Sequence, residues 1–281
     1  MYFSRGVFHM ILAVFFFSLM NVAVKLIPHI PAVEIVFFRS IVSVVLSLAF
    51  LKSQGINIWG NNKKYLILRG VSGAIALIMY FTLIQSIPLA SAVTILFLQP
   101  ILTNIIGIFI VKEKVHPMQW LFYLISFSGI LIIQGFDTRV DPIYLLIGVV
   151  ASVFSGFAYN FIRKLKSSEH PVVIIFYFPL ITMPITGMLS TLNWVAPSGW
   201  DWLILLLVGI LTQIAQYFMT KSYQAEEINK VVGLRYLSIV FALFFGWFMF
   251  NENYDWVAYL GMGVAVFGVF LNLWFKKRVP E

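Results

Sequence analysis

Apolar residues run in long blocks along this chain, and polar ones punctuate them at intervals close to the thickness of a bilayer. About 20 consecutive apolar residues are needed to cross the hydrocarbon core as a helix. Such blocks recur ten times, near 6–27, 32–51, 65–85, 89–111, 117–135, 142–163, 171–192, 200–221, 227–250 and 255–275. The connections are short, so little chain remains for a soluble domain. The pattern predicts an all-α integral membrane protein with ten transmembrane helices. The first block is too long for a cleaved signal and no small-x-small site follows it, so it is read as the first span.

The pattern repeats at a constant offset of 139 residues. Asn21 then falls on Asn160, Lys25 on Lys164, Gly70 on Gly209, Gln85 on Gln224, Glu113 on Glu252 and Gly129 on Gly268, with no gap needed. This divides the chain into two five-helix repeats, 1–138 and 139–281. An odd number of crossings per copy sets the copies upside down relative to each other. Many secondary transporters use such inverted repeats to build one midplane site that can face either side of the membrane.

Polar residues inside the blocks form stripes. Ser18, Asn21 and Lys25 fall within about 60° of arc in span 1, and Thr212, Gln213, Gln216, Thr220 and Tyr223 within about 100° in span 8. Span 2 carries Arg39, Ser43 and Ser47 on one face, and span 6 carries Ser152, Ser155, Tyr159 and Arg163. Such stripes are either hydrogen-bonding glue between helices or the wall of a wet cavity. Pro100 interrupts span 4 beside Gln99 and Thr103 and frees the carbonyl of Leu96. The second repeat has Ile239 at the matching position, so the kink is expected in the first repeat alone. Gly261, Ala265 and Gly268 in span 10 read as a close-packing surface.

Composition sharpens the class. Hydrophobic residues make up 61% of the 281 and charged residues 11%, with a net charge of +8. With the N-terminus inside, fifteen of the nineteen Lys and Arg residues fall on that face, Lys25 and Arg139 fall on the other, and Arg39 and Arg235 lie within spans. The positive-inside rule then places both termini in the cytoplasm of a multi-pass cell (inner) membrane protein. The basic balance therefore speaks for topology, and no nucleic-acid partner is expected. The chain has no cysteine, which excludes disulfide and thiolate chemistry.

Arg39 and Arg235 should both lie near the middle of the membrane, where a guanidinium needs a counter-charge, carbonyls or water. No Asp or Glu lies near the centre of any span. Glu34 or a helix C-terminus could hold Arg39, with a similar acceptor for Arg235. Alternatively one or both could meet a carboxylate or phosphate on a solute, for which the guanidinium fork is suited. No HExxH, paired-Asp, Walker or Gly-rich phosphate motif is present. The four histidines are scattered near span ends, without metal-ligand spacing. The chain is read as no enzyme, with no cofactor and no metal.

These features together make the chain resemble the drug/metabolite transporter superfamily, of the EamA-like type. The resemblance rests on the two five-span repeats, Lys25 closing span 1, Arg39 in span 2, and the stretch ASAVTILFLQPILTNIIGIFIVKEK with Pro100 and Glu113. It rests further on Gly129 and on the parallel VVGLRYLSIVFALFFGWFMFNE ending at Glu252. It implies a central cavity between the halves and a small organic solute, such as an amino acid or a nucleotide-like metabolite. The expected function is alternating-access transport of a small polar solute that is neutral, zwitterionic or anionic. Candidate lining residues are Asn21, Arg39, Tyr80, Phe97, Gln99, Tyr159, Gln213, Gln216, Tyr217, Arg235 and Tyr236. The expected partners are that small-molecule solute and membrane lipid, with monomer and homodimer both open. A lipid or lipid-phosphate flippase is the rival within transport, and a membrane-embedded enzyme the rival outside it.

Overall fold

The computed structural model describes residues 4–86, 95–134, 141–250 and 256–278. Helical segments occupy all ten expected positions. They are α1 (Arg5–Lys25), α2 (Ala32–Ser53), α3 (Lys63–Ser86), α4 (Gln99–Ile110), α5 (Pro117–Gln134), α6 (Pro142–Lys164), α7 (Pro171–Ser190) and α8 (Asp201–Ala225). The ninth position is broken into a single turn, α9 (Ile228–Val231), a 3-10 segment (Val232–Leu237) and α10 (Ser238–Phe250), and α11 (Trp256–Arg278) completes the chain. The first half of expected span 4 and the position of Glu252 lie outside the described residues.

Local chemistry sets several of the boundaries. Prolines open α5, α6 and α7, where the missing N–H costs nothing and the fixed φ suits the first turn. The Asp141 carboxylate accepts from Ile143 N–H (2.9 Å) and caps α6. Six of the described helices, counting Ile228–Met249 as one, are long and apolar enough to cross a membrane.

The packing follows the 139-residue offset. α1 lies against α8 and, as the offset requires, α6 lies against α3. α2 packs on α7, α5 on α11, and the pair α2 with α8 is matched by α7 with α3. Each of these interfaces joins one half of the chain to the other. The halves interleave, and the core is the surface between them. Counterpart helices run in opposite directions: the start of α1 meets the end of α8 where Ser222 Oγ donates to Gly6 O (2.7 Å), whereas α6 delivers its last turn, Arg163, to that same end of the bundle. The two repeats are thus inverted.

Close backbone approach fixes the α5–α11 interface. A Cβ added at Gly129 would sit 2.4 Å from Ala265 N and 2.5 Å from Gly261 O. One added at Gly268 would sit 2.7 Å from Ser126 N and 2.8 Å from Phe122 O. These contacts are the same pair seen from each repeat. Since lipid tails are as apolar as leucine, such van der Waals contact is what draws membrane helices together.

The apolar core is not evenly distributed. At the end that carries both termini, one continuous cluster runs through Val7, Met10, Leu51, Leu66, Ile162, Val173, Met219 and Val231. At the opposite end the described residues form two separate clusters, one around Ile27, Ile35 and Leu205 and one around Leu83 and Ile95. Among the described residues the apolar core is continuous at the terminal end and parted at the other.

Replacing Gly129 by Leu should destabilise the protein by at least about 1–3 kcal/mol, the usual cost of overpacking, because backbone and not a flexible side chain stands in the way. Gly263→Leu on the partner helix α11, where an added Cβ meets nothing within 4 Å, is the control. Equal melting temperatures for the two variants in detergent would refute the assignment.

Candidate functional site

Three arginines lie inside the helical bundle. Arg39 on α2 and Arg69 on α3 are buried, at 8% and 2% exposure, and Arg235 in the 3-10 segment is half-buried. Arg39 and Arg69 share one aromatic ring: their guanidinium carbons stand 5.9 and 4.7 Å from the centroid of Phe178. Arg235 stands 4.7 Å from the centroid of Tyr159, and Tyr159 stacks on Tyr223 at 5.1 Å. Tyr80 lies within electrostatic reach of both Arg39 and Arg235 and so links the two groups. Aromatic faces attract these cations but carry no formal charge to neutralise them.

Hydrogen bonds to the three are sparse. Arg69 Nη2 donates a long bond to Gln216 Oε1 (3.4 Å), while its Nε has no partner. A buried Nη1 of Arg235 is likewise unpartnered. Among the described residues no carboxylate lies within ion-pair distance of any of the three. Glu34 accepts from Val195 N–H (3.0 Å) with one oxygen while the other is buried without a partner, and it makes no ion pair with Arg39.

The cluster sits on the axis that relates the repeats. A residue that touches its own counterpart 139 positions on must lie close to that axis. Arg39 faces Phe178, and Phe97 lies against Tyr236 with ring centroids 5.6 Å apart. Both are counterpart pairs. Tyr236 also donates through its hydroxyl to Phe97 O (3.0 Å), so a side chain of the second repeat satisfies a carbonyl at the interruption in the first.

That interruption is duplicated. Residues 97–98 form a turn before α4 begins at Gln99, and the matching stretch Val232–Leu237 is the 3-10 segment. The expectation of a kink in the first repeat alone is therefore corrected. Proline is neither required for such a break nor enough for one, since α7 runs unbroken through Pro179 and Pro184; at the ninth position Asn229 and its neighbours recruit the backbone groups that a regular helix would use. Asn229 O accepts from Gln119 Nε2 (3.3 Å), Asn272 Nδ2 (3.2 Å) and the Tyr123 hydroxyl, and its own Nδ2 donates to Lys114 O (2.8 Å).

A polar clamp at the terminal end holds this segment. Glu113 accepts from Arg163 Nε (2.6 Å) with one oxygen and from Ile228 N–H (2.7 Å) with the other. Arg163 in turn donates to Gln224 O (3.0 Å) at the end of α8. The carboxylate thus meets a helix N-terminus and the guanidinium a helix C-terminus, each the favoured end for its charge. Glu169 binds Asn61 N–H (2.6 Å), and its own carbonyl accepts from Gln224 Nε2 (3.0 Å).

The sequence-derived candidates divide on this geometry. Arg39, Tyr80, Phe97, Gln99, Tyr159, Gln216, Arg235 and Tyr236 are brought together, Gln99 through a 3.4 Å bond from its Nε2 to the Tyr159 hydroxyl. Gln213 instead ties α8 to α2 by donating to Ser47 Oγ (2.8 Å). Tyr217 packs beside Phe218 and under Lys221. Asn21 is exposed, on the helical face of Met10 and Val14 but toward the parted end, whereas its counterpart Asn160 is buried and donates to Thr103 O (2.9 Å). Sequence reasoning placed Arg69 among the interfacial charges; it is a member of the cluster. Its eleven-residue spacing from Tyr80, nearly three full turns, was the available signal.

The profile of the EamA-like transporter family matches residues 4–135 and again 142–274. The chain is 30% identical over 266 residues to the pseudopaline exporter CntI of Pseudomonas aeruginosa, covering 94% of this chain and 93% of that one. It is 28% identical to solute carrier family 35 member G1 of Homo sapiens over 89% of this chain and 74% of that one. The S-adenosylmethionine uptake transporter of Rickettsia prowazekii is 22% identical over 79% and 76%. A crystal structure of a protein 16% identical in sequence shares the fold, with a TM-score of 0.86 over 98% of this chain and 99% of that one.

Removing one member of a buried ion pair leaves the other without compensation, typically at a cost of about 3–5 kcal/mol. Glu113→Ala should accordingly lower thermal stability in detergent, and Glu113→Gln, which keeps an acceptor for Ile228 N–H, should lower it less. Equal losses for the two would show that the acceptor for Ile228 N–H adds nothing and that the clamp rests on the charge alone.

Proposed function

Because this chain belongs to the EamA-like transporter family, whose relatives named above are transporters and not enzymes, we propose that it moves a small polar organic metabolite, zwitterionic or anionic, by alternating access. The observation that carries this reading is the trio of guanidiniums near the inter-repeat axis, two buried and one half-buried, with no acidic residue at ion-pair distance among the described residues. Ionisable residues inside a membrane are costly and mark solute pathways. Their place beside two interrupted helices suits a site at the interface of inverted repeats.

The five-helix halves, 1–138 and 139–281, then act as the two moving bodies around that site. Their interleaving supports this, since each end of the bundle is an interface between halves. With both termini cytoplasmic, as the Lys and Arg distribution favours, the clamp of Glu113, Arg163 and Ile228 is the cytoplasmic gate, closed here. Asn21 would lie in the outward vestibule.

Uptake of labelled amino acids and nucleotide-like metabolites into proteoliposomes tests the assignment. Some solute should accumulate above the level of protein-free liposomes, and Arg235→Gln should reduce that uptake by at least about tenfold, as loss of a charged hydrogen bond implies. Uptake indifferent to both Arg235→Gln and Arg39→Gln would sink it. The absence of native cysteine permits a direct check of the gate. Asn21→Cys should react with an impermeant maleimide added outside intact cells, and Ser222→Cys, fully buried beside Gly6, should not. The reverse pattern would overturn the assignment of the closed end.

A further inference from the structure

The three arginines differ from a general polar lining in their charge arithmetic. Each guanidinium carries five N–H donors and a charge that protein conditions do not remove. Among the described residues the trio has no charged partner: Arg69 makes a long contact to Gln216, and Arg235 lies beside the neutral Tyr159 and Tyr223 hydroxyls. Arg69 Nε and Arg235 Nη1 are buried without a partner. Arg163, also buried, shows what a finished guanidinium looks like in this protein, with a carboxylate at 2.6 Å and a backbone carbonyl at 3.0 Å.

The trio also has two lobes. Arg39 and Arg69 both lie against Phe178, so like charges crowd one ring. Arg235 lies apart, over Tyr159. Tyr80 is in electrostatic reach of Arg39 and Arg235, and Tyr159 of Arg69 and Arg235. A solute with a single negative group can neutralise one lobe only. We infer that the cavity is built for a soluble metabolite carrying at least two carboxylates, one gripped by Arg39 and Arg69 beside Phe178 and the other by Arg235 beside Tyr159. Gln216 and Gln99 then orient the first and second carboxylate respectively, Gln216 through Arg69 and Gln99 through Tyr159. This inference rests on the transport reading and narrows its solute class.

The test uses the purified full-length protein and matched probes at constant ionic strength. Glutamate and glutamine have the same shape and differ by one carboxylate, and a series from malonate to adipate grades the separation of two. Thermal shift and calorimetric titration should give glutamate, or the best dicarboxylate, at least about tenfold tighter binding than its mono-amide, the gain expected from one charge-assisted contact. Arg69→Gln should erase that preference, and Arg235→Gln should do so independently. Arg69→Lys, which keeps the charge, guards against a variant that merely misfolds, and Arg235→Gln reports even if neither Arg69 variant folds. Equal binding of glutamate and glutamine, or no binding of any carboxylate, overturns the inference. Stabilisation by phosphatidate in mixed micelles with none by soluble dicarboxylates also overturns it, in favour of a lipid headgroup. The transport reading fails separately, by the liposome experiment: uptake of a neutral or singly charged solute that depends on Arg235 would sustain it while this inference fell.

Discussion

A guanidinium inside a membrane protein must find its acceptors within the protein, in trapped water or on a ligand, because hydrocarbon offers none. The fold depends on how that demand is met at one place. Arg163 finds Glu113 and the last carbonyls of α8, and Glu113 finds the first amide of the ninth span. Through two residues, the ends of α4, α6, α8 and the interrupted ninth segment are joined. The continuous apolar core lies directly beneath this clamp. At the opposite end, where the halves are joined by the half-exposed His29–Asp201 contact and by Glu34 at Val195 N–H, the described core divides in two.

The contrast with the trio is therefore informative. Arg39, Arg69 and Arg235 occupy the same protein interior, yet their neighbours are aromatic rings and amides. Aromatic faces lower the cost of a buried cation without cancelling its charge. A scaffold that builds a complete ion pair at one end shows that its chemistry could have done so at the axis as well. The incomplete set is consistent with a ligand completing it, as the proposed function requires.

Much of the fold was legible because it follows from two periodicities. The length of apolar blocks located the helices, and the 139-residue offset anticipated that α1 with α8 must be answered by α6 with α3. The site was legible where a charge stood deep in a block, as Arg39 and Arg235 do. Arg69 was harder. Six residues from the start of α3, it sits at a depth where arginine usually snorkels to the interface, and only the neighbouring Phe178 and Gln216, brought from distant spans, turn it inward. The second helix break was hidden for a similar reason. No proline marks it, and the groups that stabilise it, Gln119, Tyr123 and Asn272, come from α5 and α11. Gln213 shows the converse, since a stripe position alone could not distinguish a cavity wall from the α2–α8 seam.

The repeat offset finally separates scaffold from specificity. Gly129 and Gly268, which keep their identity between the repeats, lie where backbones touch and any side chain would force them apart. The three unpaired arginines have Phe178, Val208 and Leu96 as counterparts, so none is duplicated. A strictly symmetric pair of repeats would place six guanidiniums around the axis, a charge that the apolar surroundings could not hold. Breaking the symmetry at these positions keeps the packing of the two halves equivalent while confining the charge to one set of three. On the proposed alternating-access reading, equivalent packing would let either end of such a bundle close, and unequal charge would give the centre a definite orientation for its solute.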